Sequence, residues 1–157
     1  MLHCGPGYNT CVQNALEYLP FEVFGEIKTS AAFFSTSETD GCRLARELCK
    51  TREIILLSER ILPRRGATEG DDKYRYFIFV VLHEVAHAYL RHRSPMFDSL
   101  NAEEIEAQEI EAEELALKWF NDHIARKANP CLEGLTLDEL AKAKSKSAED
   151  REAFYQS

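Results

Sequence analysis

Residues 76–92 read YFIFVVLHEVAHAYLRH, and the reading of this stretch decides the fold. No charge interrupts Tyr76 to Leu82, which has the character of a helix enclosed by core on every side. His83, Glu84 and His87 then break the apolar run. Burying such groups is costly unless something pairs with them. On a helix, residues four apart stand one turn apart on one face, so His83 and His87 can present two imidazoles to one point. The pattern is H-E-x-x-H, and zinc suits it, because that ion takes imidazole nitrogen and tolerates four or five ligands. Glu84 lies too far round the helix to be an equal ligand. It borders the open side of such an ion, where it can take a proton from a metal-activated water and pass it to a leaving amine. The competing reading is a core helix whose histidines bond to backbone or carboxylates. Two histidines at this spacing, with a glutamate after the first, favour one Zn2+ per chain.

A catalytic zinc takes three protein ligands and keeps one position open. The extended motif H-E-x-x-H-x-x-G-x-x-H places a glycine and a third histidine beyond the helix. Here Leu90 stands at the glycine and Arg93 at the histidine, so no chain reversal is signalled. His92 reads as a polar residue near the helix end, and His123 and His3 lie far from the motif. The remaining source is the acidic stretch AEEIEAQEIEAEELALKWF, from Ala102 to Phe120. Glu109, Ala112, Glu113 and Ala116 follow helical spacing beside its apolar stripe, and the small alanines allow close approach to the motif helix. Glu109 is the expected third ligand, with Glu106 its competitor one turn earlier. Glu113 is expected to accept a hydrogen bond from the free ring nitrogen of a ligating histidine.

Working outward, the clearest strand is REIILLSERI, Arg52 to Ile61. Asn9 to Leu19 reads as a helix ended by Pro20. FEVFGEIKTSAAFFSTS, Phe21 to Ser37, suggests one or two short strands near Gly25, and ETDGCRLARELCKTR, Glu38 to Arg52, a short helix or turn. Asp71 or Asp72 can cap the motif helix, which runs to about Arg93 before Pro95. Asn101 can cap the acidic helix, which runs to about Lys127. Thr136 opens a last short helix, and the polar end, with Phe154 and Tyr155, is expected to be loosely held or to fold back over a cleft.

The chain of 157 residues suits one domain, read as residues 1–130, with a helical extension and polar tail at 131–157. A formal net charge of -8 argues against non-specific nucleic-acid binding, which needs a basic patch. No run is long enough to span a bilayer and no secretory signal is visible, so no membrane partner and a cytoplasmic location are expected. The five cysteines, an odd number, suggest free thiols. Cys42 and Cys49 would share a face if that segment were helical.

HEVAHAYLRH, with EIEAEELAL from Glu109 to Leu117, resembles the gluzincin metallopeptidases, whose second helix carries E-x-x-A-[D/N/E]-x-x-A. It also looks like the single-domain minigluzincins and the ImmA/IrrE-type peptidases. The resemblance covers about Glu53 to Phe120. It implies a zincin-like α+β domain with a small twisted sheet beside the helices, and a zinc endopeptidase held by His83, His87 and Glu109. It also implies a peptide or protein substrate added to an edge strand, for which Arg52 to Ile61 is the candidate. Glu113 stands where an aspartate is common. The rival is a catalytically silent, zinc-stabilised module that binds a protein or peptide.

Overall fold

The computed structural model describes residues 6–36, 40–44, 52–63, 66–95, 98–127, 129 and 132–155. The fold is α+β. In chain order come α1 (Pro6–Leu16), α2 (Phe21–Ser30), β1 (Ala31–Thr36), β2 (Gly41–Leu44) and β3 (Glu53–Ser58). A 3-10 turn (Glu59–Ile61) leads to α3 (Asp72–Tyr89), α4 (Ala102–Lys127) and α5 (Leu137–Tyr155).

α3 is the axis of the core. Every residue from Tyr74 to Leu82 is buried, so this half of the helix is enclosed on all sides. Asp71 caps it by accepting from the Tyr74 N–H at 3.0 Å. α4 packs along it through Ala112 and Ala116, both without exposed surface, where small side chains let the two helices approach closely. Asn101 and Glu104 cap the start of α4 reciprocally, and Thr136 and Glu139 do the same for α5. α5 is one continuous helix to Tyr155, longer than the short helix expected, and it lies against α3 through buried Leu140. The side chains of Phe154 and Tyr155 lie outside the described residues.

The sheet has the order β1-β3-β2. β1 runs parallel to β3, with Ala31 opposite Glu53, and β2 antiparallel, with Gly41 opposite Leu57. Two expectations change here. Phe21–Ser30 is a helix, not strand: Val23 and Ile27, one turn apart, are its buried pair, while Phe21 is 88% exposed. The strand begins only at Ala31. Gly41–Leu44 is a strand, not helix or turn, because β3 supplies hydrogen bonds that so short a segment cannot make within itself. Cys42 therefore lies on a strand. Cys49, with the rest of that segment, lies outside the described residues, as do His3, Cys4 and Cys131.

The Arg52–Ile61 strand cannot take a peptide by strand addition. β3 is the middle strand, and β1 and β2 already use both its edges. No helix among the described residues is long and apolar enough to cross a membrane.

Candidate metal centre

α3 and α4 together build the site. One turn apart on α3, His83 and His87 bring their Nε2 atoms to 3.1 Å from each other. Glu109 reaches across from α4, with Oε2 3.2 Å from His83 Nε2 and Oε1 3.4 Å from His87 Nε2. An ion about 2.0–2.1 Å from three tetrahedrally placed atoms sets them about 3.3 Å apart, so this spacing matches a zinc-sized cation. Two nitrogens and a carboxylate converging on one point form a donor set that can hold a metal ion. The Glu109 side chain is 53% exposed, which leaves one side of the centre open to solvent. Hydrogen bonds from His83 and His87 hold its carboxyl far below the usual carboxylate range. Glu106, the competitor, is exposed and outside the group.

Glu84, the residue after the first histidine, lies against the sheet. It is buried, and burial pushes its carboxyl up to about 7, against the charge of His87 and with that of Glu109. Its neighbour is the backbone of β2. A Cβ on Gly41 would lie 2.6 Å from Glu84 Oε1 and 2.9 Å from Val80 Cγ1. Glycine at this position lets the strand come close enough to wall in the carboxylate. Arg43, two residues on, also bears on Glu84 and lowers the cost of its charge.

Behind His87 stands a group that the sequence did not reveal. The helix ends in a Schellman turn: His92 N–H donates to the His87 carbonyl at 3.0 Å and Arg91 N–H to the Ala88 carbonyl at 3.3 Å. The reversal occurs at Arg91, whose φ of 58° is the left-handed conformation usually left to glycine. No glycine advertised it. As a result His92 turns back under the helix and is buried, with Nδ1 2.8 Å from His87 Nδ1 and Nε2 3.2 Å from Glu111 Oε2. Burial lowers the proton affinity of His92. Arg43 donates to the His92 carbonyl and pairs with Glu53 at 2.9 Å, a buried ion pair that joins β2, β3 and the end of α3.

Among the described residues Glu113 makes no contact with a histidine. Its carboxylate meets Lys144 of α5, and it is His92 that reaches the back of His87. The Nδ1 of His83 is buried and finds no hydrogen-bond partner among the described residues. Tyr89 packs edge-on against Trp119, and the His123 ring stacks on Tyr18.

Residues 76–148, just under half of the chain, match the model of the Peptidase U49 family. The matched stretch begins in α3 and ends in α5, so it contains the whole converging group. The match supports a peptidase. No curated protein and no solved structure matches the chain.

Proposed function

We propose that the chain is a zinc-dependent metallopeptidase of gluzincin type, in which His83, His87 and Glu109 hold the ion and Glu84 is the general base. The convergence of those three side chains, with a buried carboxylate on the residue next to the first ligand, carries this reading. Bound there, zinc would supply a Lewis acid that polarises a carbonyl and acidifies water. Glu84, raised to about 7, is tuned to accept a proton near neutral pH and to give it up again to the departing amine. Glu109 stays ionised and contributes the negative charge that an N2O ligand set needs. The open side beside Glu109 is where a substrate enters.

A peptide in this reading lies extended against β2 rather than β3. β2 is an outer strand of the described sheet, and Gly41 brings its backbone within contact of Glu84. Backbone hydrogen bonds along β2 would hold a peptide without demanding particular side chains.

The test combines metal content with cleavage of a mixed peptide library. The parent chain should carry one zinc and cleave. Glu109→Ala should lose the metal, while Glu84→Gln should keep it and turn over about 10²–10⁴-fold more slowly. Full cleavage by Glu84→Gln would refute its role. Zinc in the parent without any cleavage would favour the silent binding module.

A further inference from the structure

We infer that His92, backed by Glu111, is a positioning residue that fixes the proton and the aim of His87. The inference rests on the proposed metal site and adds to it two residues that lie outside the converging donor group.

Hydrogen-bond polarity links the three groups. With an ion bound, His87 Nε2 turns its lone pair to the position it shares with His83 and Glu109, and the neutral ring must then carry its proton on Nδ1. His87 Nδ1 lies 2.8 Å from His92 Nδ1, so His92 Nδ1 must be the acceptor. The neutral His92 ring then carries its proton on Nε2, and Nε2 lies 3.2 Å from the Glu111 carboxylate, which accepts it. Each of the three groups can therefore adopt one protonation pattern that satisfies both contacts. His87 donates to His92, and His92 donates to Glu111. A flipped tautomer at His87 would set two lone pairs against each other or leave a proton pointing at the metal position. A ligand histidine held in this way is better aimed and more basic.

The surroundings hold His92 in place from its backbone as well as its ring. The left-handed turn at Arg91 swings it under the helix, and Arg43 grips its carbonyl. The two imidazoles of the site are thus supported unequally. His83 meets the Phe79 ring, at 5.7 Å between centroids, and its Nδ1 has no partner among the described residues. Glu111 is well exposed, so its removal tests the end of the chain of donors without opening the core.

Zinc affinity, measured by competition with a chelator, separates positioning from packing when read beside thermal melting of the metal-free proteins. His92→Ala should weaken zinc binding about 10–100-fold. His92→Gln, whose amide oxygen can accept from His87 Nδ1–H, should recover most of that loss. Glu111→Ala should weaken binding less, about 3–10-fold, with unchanged melting of the metal-free chain. A parent chain that takes up no zinc overturns the metal site and this inference with it. A parent that binds zinc, with His92→Ala folded and binding as tightly, overturns this inference alone. So does an equal loss in His92→Ala and His92→Gln, which would mean that an acceptor for His87 Nδ1–H at this position does not support the metal.

Discussion

The two ends of the metal helix segment are built differently. At the His87 end, ring, backbone and sheet are tied together by His92, Arg91 and the Arg43–Glu53 pair, whose side chains are only 6% and 10% exposed. At the His83 end the neighbours are Phe79 and the α5 helix, whose Lys144 lies over the Phe79 ring and pairs with Glu113. That second pair is far more exposed, at 46% and 27%. One short motif is thus anchored by buried polar structure on one side and by packing and a solvent-exposed ion pair on the other. The contrast also suggests where the site tolerates change.

The largest expected difference lies between those two ion pairs. Arg43→Ala leaves Glu53 buried without its partner and frees the His92 carbonyl, so it should destabilise the fold by about 3–5 kcal/mol. Lys144→Ala removes a solvated pair and should cost about 1 kcal/mol or less. Denaturant unfolding of the two variants checks the ranking, and equal effects would erase the proposed asymmetry.

A smaller effect comes from Glu84 in the metal-free chain. Its folded pKa is raised from 4.5 to about 7, so the neutral carboxyl is favoured in the fold. The stability it contributes is fully present below about pH 4.5 and is lost as pH rises through about 7. The span corresponds to a loss on the order of 3 kcal/mol. Glu84→Gln should remove this slope, so its stability advantage over the parent should be larger at pH 8 than at pH 5. Glu109 acts with the opposite sign: its depressed carboxyl adds stability above about pH 4.5 that is lost as pH falls below it. Melting of both chains in chelator across this range reads the slope directly, and a difference that ignores pH would refute it.

The smallest effect concerns the turn that positions His92. Arg91→Gly relieves a left-handed backbone and should stabilise the chain by about 1 kcal/mol, with zinc affinity unchanged. Weaker zinc binding in that variant would show that the arginine itself, and not only the turn, supports the site.

Much of the helical skeleton could be read from local signals. Asp71, Asn101 and Thr136 each cap the helix they were expected to cap, because a cap is settled within four residues. The strand at Glu53–Ser58 followed from its run of branched residues. Phe21–Ser30 misled because phenylalanine and β-branched residues favour strands only when a sheet receives them, and here the core accepts Val23 and Ile27 at helical spacing instead. Gly41–Leu44 misled in the opposite sense, since its strand exists through its partner β3. At the site, Leu90 in place of glycine signals no reversal, yet Arg91 makes one, and so His92 is not the simple helix-end residue that local pattern suggests.

By itself the sequence determined that two imidazoles share one helical face and that a glutamate follows the first. That much needs only the 3.6-residue turn and an apolar run to bury it. Tertiary structure decided which glutamate of the acidic helix reaches them, which strand walls in Glu84, and what stands behind His87. Those outcomes depend on how two helices cross and how strands pair, and such contacts join residues too distant in the chain for any local pattern to specify.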